Sequence, residues 1–96
     1  MDNAPLLDSR TTPTSPRLLR AMLAGHPATD GVEVIIWPDD AERRAALVEG
    51  TPTLLLVPPD VDAPVCGFVE EWVRLPAPMD DAYARLEMLR IRVSCT

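Results

Sequence analysis

Ninety-six residues with a net charge of −6, 47% of them hydrophobic and 25% charged, describe one small globular domain and exclude a long disordered chain. The acidity argues against nucleic acid or an anionic membrane as a direct partner, and no apolar run approaches the length of a membrane span. A chain this short buries only about 60–65% of its unfolded surface, so its core is marginal and support from a partner is expected.

All nine basic residues are arginine, which removes lysine as a base, Schiff-base former or phosphate ligand. Cys66 and Cys95 match no zinc or redox spacing and read as reduced thiols of a cytoplasmic protein. Residues 1–13 lack periodicity and read as a flexible leader, residues 14–93 as the domain and 94–96 as a tail. Ser15-Pro16 is a helix start, a capping side chain followed by proline at the first helical position. The helix carries Leu18, Leu19, Met22 and Leu23 and stops near Gly25. VEVIIW (32–37) is β-branched and reads as a strand ended by Pro38. Asp39 or Asp40 then caps a helix over 40–50, with Ala41, Ala45 and Val48 inward and Arg43 and Arg44 toward water.

TLLLV (53–57) is a fully buried strand of the parallel-sheet kind. PPDVDAPVCGFVE (58–70) is a loop, and EWVRL (71–75) a third short strand. After Pro76 a last helix runs over roughly 79–93, with Ala82, Leu86, Leu89 and Val93 at helical spacing. Alternating helices and strands predict a small three-stranded parallel sheet flanked by helices.

EEWVRLPAPMDDAYARLEMLRIR (70–92) resembles the last strand and helix of a two-component receiver domain, through Glu70, Glu71, Trp72, Val73, Pro76, Ala84, Arg85, Leu89 and Arg92. GVEVIIWPDDAERRAALVEGTPTLLLV (31–57) is similar to the receiver's second strand, second helix and third strand. The resemblance covers about 70 residues and implies a shortened flavodoxin-like architecture. It also implies what is missing. A receiver's acidic pair after its first strand has no counterpart, and Pro58 stands where the phosphate-accepting Asp belongs. No fourth strand fits between Val57 and Glu70, and Leu75 replaces the Lys before the proline. The resemblance therefore implies a phosphorylation-incompetent receiver-like domain, of the kind that precedes a winged-helix DNA-binding domain in some bacterial transcriptional regulators. Such a winged helix is expected outside these residues.

Strand alternation sends Val73 and Leu75 inward and Trp72 and Arg74 to the other face. Trp and Arg are enriched at interfaces, and the resemblance places the receiver's dimer face on the last strand and helix. The expected interface is Trp72, Arg74, Arg85, Leu89 and Arg92, joining two copies as a homodimer. Arg85, Arg90 and Arg92 with Asp80, Asp81 and Glu87 are candidates for reciprocal ion pairs. Pro58, Asp60 and Asp62 form a possible ligand loop, since strand ends of this kind hold ligands in open α/β sheets. The Asp39-Asp40 and Asp80-Asp81 pairs read as helix-start charges, and His26 as a helix-end cap. No metal, cofactor or catalytic group is expected. The alternatives are a small-ligand sensor built on the 58–70 loop and a redox-dead thioredoxin-like adaptor with a cis Thr51-Pro52 bond.

Overall fold

The structure is a computed structural model and describes residues 12–94. Helix α1 (Pro16–Leu23) starts where Ser15 Oγ accepts the Leu18 N–H at 3.1 Å and Pro16 needs no partner. Its inward stripe is Leu19 and Leu23, and the chain turns out of it at Gly25, whose φ of 77° suits a residue without Cβ. A 3-10 turn (Pro27–Thr29) follows, capped by His26, whose Nδ1 accepts the Ala28 N–H at 3.0 Å. The imidazole thus starts this turn instead of closing α1, and it stacks on Tyr83 at 5.0 Å.

Strands β1 (Glu33–Ile36), β2 (Thr53–Val57) and β3 (Glu70–Arg74) form one parallel sheet in the order β1-β2-β3, with Ile35 and Trp72 both level with Leu55. The expected fold class is therefore what the chain adopts. β2 is central and buried at every residue, which is why TLLLV reads as an unbroken apolar run. Val34, Ile36, Leu54, Leu56, Val73 and Leu75 share the face that packs on α1 and on α3 (Met79–Ser94). From α3 the inward stripe is Met79, Ala82, Leu86 and Leu89; the expected fourth contact, Val93, lies outside as an exposed side chain.

Helix α2 (Ala41–Ala45) covers the other face and spans only five residues, against the eleven expected. Its orientation also differs from the expectation: Ala45 is exposed, Val48 is 79% exposed and Arg44 turns inward. The reason lies across the sheet. The Glu70 carboxylate and the Trp37 ring share that face, and a guanidinium satisfies both where Ala45 or Val48 would leave the carboxylate unpaired. Asp40 precedes α2 without capping it; its Oδ2 accepts the Ile36 N–H at 3.0 Å and pairs with Arg20 at 3.2 Å.

Pro13 is buried and its carbonyl accepts the Ala77 N–H, so the ordered domain reaches back into the expected leader. The rest of the leader, residues 1–11, and Cys95 and Thr96 of the tail lie outside the described residues. Among those described, the cis prolyl bonds precede Pro38 and Pro76. Thr51-Pro52 is trans, so the thioredoxin-like alternative lacks the feature expected of it.

Candidate association surface

β3 carries two kinds of side chain, as its alternation requires. On the α2 face, Arg74 Nη1 donates to the carbonyls of Pro58 at 3.1 Å and Val61 at 2.5 Å, with its guanidinium 5.3 Å from the Trp72 ring. Arg74 thus holds the start of the 58–69 connection against the sheet, and Trp72, beside its guanidinium, remains half-buried. Arg44 holds the same connection further along. It grips Glu70 through Nε and Nη2, each at 2.8 Å, donates to the Val65 carbonyl at 2.9 Å and lies over Trp37 at 5.3 Å. Hydrogen bonding to Arg44 holds the Glu70 carboxyl below the usual carboxylate range and raises the guanidinium in turn. Burial pushes the nearby Cys66 thiol up, away from a reactive thiolate.

On the α3 face, Glu71 is 8% exposed and is held by two arginines. Arg85 reaches its Oε1 at 3.2 Å, and Arg92 pairs with its Oε2. Arg92 also donates to the carbonyls of Phe68 at 3.1 Å and Glu70 at 3.3 Å, with its guanidinium 5.9 Å from the Phe68 ring. These contacts correct the expected ion-pair pattern: Arg85 and Arg92 serve Glu71 within the chain, and Arg90 pairs with Glu87 on its own helix. Leu89 needs a correction too. It is 0% exposed and belongs to the core under the sheet, so it presents nothing to a partner. The buried Glu71 escaped the sequence reading, although strand alternation puts it on the same side as Val73.

The backbone of β3 completes the surface. Val69 O receives the Thr53 N–H at 3.0 Å, and the Leu75 N–H reaches Val57 O at 2.8 Å. In a parallel ladder alternate residues bond to the same neighbour, so Glu70, Trp72 and Arg74 turn their N–H and C=O groups outward. Glu70 is closed, its N–H on Gly67 O and its carbonyl on Arg92. Trp72 and Arg74 face an edge that no strand among the described residues covers. Beside that edge the outer surface of α3 presents Ala84, Met88 and Ile91, the last two each 44% exposed, and Phe68 at 62% stands near its end.

The proposed ligand loop gathers no comparable site. Pro58 gives its carbonyl to Arg74, while Asp60 and Asp62 are exposed. A cleft of about 460 Å³ does open beside the sheet, but at the opposite ends of the strands, between Val48, Thr53, Phe68 and the Arg44–Glu70 pair. Among the described residues no group of three or more His, Cys, Asp or Glu side chains is placed to hold a metal, and no helix is long and apolar enough to cross a membrane.

Sheet order and helix placement define a small doubly wound α/β domain whose β3 edge is covered by no strand among the described residues. Comparison with protein-family models, curated proteins and solved structures finds no match to this chain.

Proposed function

We propose that this chain is a non-enzymatic, receiver-like association module that pairs with a second copy of itself and serves as the regulatory part of a cytoplasmic transcriptional regulator. The observation that carries the reading is the backbone at Trp72 and Arg74, which no strand among the described residues covers, beside the apolar surface of α3. Open sheet edges and apolar patches of this kind are ordinarily paired or covered. The topology supports the receiver-like part. Removing the first and fourth strands from a 2-1-3-4-5 sheet leaves the order 2-3-5, which is how β1, β2 and β3 lie. Packing of α1 and α3 on one face and α2 on the other fits the same derivation. The net charge of −6 supports leaving DNA contact to a winged-helix domain outside these residues.

A ligand sensor built on residues 58–62 fits less well, because Arg74, the cation nearest that loop, is engaged by the Pro58 and Val61 carbonyls. Light scattering with size exclusion over a wide concentration range tests the proposal. Wild type is expected to pass from monomer to dimer, and Trp72→Ala to weaken that step. A chain that stays monomeric at every concentration refutes it.

A further inference from the structure

The two edges of the sheet differ in what they leave open. At β1 the Glu33 and Trp37 N–H groups bond to Pro52 O and Leu56 O, so Val34 and Ile36 face outward. Asp40 closes Ile36 on both sides, taking its N–H with Oδ2 at 3.0 Å and giving its own N–H to the carbonyl at 2.7 Å. Only Val34 remains, and one residue cannot hold a strand. At β3 two outward residues of one strand remain, Trp72 and Arg74, spaced as an antiparallel partner requires.

We infer that two copies join by antiparallel pairing of β3 with β3, Trp72 of each copy opposite Arg74 of the other, to make one continuous six-stranded sheet. The inference rests on the association reading and gives it a geometry. A two-fold axis demands that the same patch meet itself, and two identical strands related by such an axis across a sheet run antiparallel. The register is then selected. Pairing Trp72 with Trp72 would set Glu70 opposite Arg74, and the outward groups of Glu70 already belong to Gly67 and Arg92. With the axis at Val73 only open groups meet, each Trp72–Arg74 pair exchanging both of its N–H···O=C bonds.

The side chains agree with that arrangement. Trp72 and Arg74 of both copies share one sheet face, so each guanidinium lies beside the indole of the other chain and extends the cation–π contact already present within each. On the opposite face the two α3 helices run antiparallel. Met88 and Ile91 of each copy then lie in the apolar strip along the helix, on the side of the paired edge. A second copy of this chain is therefore the occupant that the edge and the helix fit together.

Amide hydrogen exchange on the full wild-type chain, below and above its association concentration, tests this. The Trp72 and Arg74 amides are expected to slow about tenfold or more as the dimer forms. The Val34 amide, outward on the other edge, is expected to keep its rate. If the chain dimerises by light scattering while Trp72 and Arg74 exchange at unchanged rates, strand pairing is overturned and the association reading stands. If Val34 slows and the β3 amides do not, the β1 edge is the interface and the inference fails. A chain that never dimerises overturns both.

Discussion

One face of the sheet is closed by helices and the other by arginines. Against α1 and α3, the aliphatic side chains of Ile36, Leu54, Leu56, Val73 and Leu75 meet Leu19, Leu23, Ala82, Leu86 and Leu89. Against α2 and the 58–69 connection, Ile35, Leu55 and Val57 are equally buried. Their cover, however, is a five-residue helix and a segment without regular structure. That segment is fixed by Arg44 on Glu70 and Val65, and by Arg74 on Pro58 and Val61. Non-directional packing holds the first face, and a few directed, charge-assisted bonds hold the second. The two should therefore fail differently.

The largest effect belongs to the helix-covered face. Leu56→Ala removes a fully buried side chain from the centre of the sheet and should cost about 2–5 kcal/mol in denaturant unfolding, a large share of a small domain's stability. Next comes Arg44→Met, which keeps some apolar bulk but strands the Glu70 carboxylate. A loss of about 2 kcal/mol is expected, with proteolysis rising first within 58–69 while the α3 amides stay protected. A loss spread evenly over both faces would break the comparison.

Acid should act on the same face. Glu70 titrates below its ordinary value of 4.5 in the folded chain because Arg44 stabilises the carboxylate. Its contribution is therefore complete above that ordinary value and disappears as pH falls through the lowered one. Thermal stability of wild type should drop below about pH 4.5, and Glu70→Gln should flatten part of that drop. Arg74→Ala has the smallest expected effect, about 1 kcal/mol, because it frees two loop carbonyls that water can reach.

The sequence reveals the two faces unequally for the same physical reason. β2 and the stripe on α3 are legible because burial leaves a periodic record: TLLLV for a strand covered on both faces, and Ala82, Leu86 and Leu89 at helical spacing. That spacing also carries the evidence that Leu89 is core and unsuited to an interface. The α2 face leaves no such record. Arg44 reaches partners 21 and 26 residues away, and nothing in the local pattern around AERRA separates an arginine that faces water from one that anchors a loop. Glu71 is legible only in part. Alternation places it inward, but its two arginines come from a helix whose rotation the sequence does not specify. An open edge beside the last strand follows from the missing fourth strand, but that Trp72 and Arg74 are the residues turned outward depends on hydrogen-bond parity, which exists only once the chain is folded.

The central claim, that this domain works by association through β3 and α3, is tested most directly by sedimentation equilibrium on wild type and on Met88→Glu combined with Ile91→Glu. Both positions are exposed, so each substitution should change unfolding stability by no more than about 0.5 kcal/mol. The account predicts a self-associating wild type and a folded, monomeric double variant. A double variant that associates as tightly as wild type, with unchanged thermal unfolding, would contradict it.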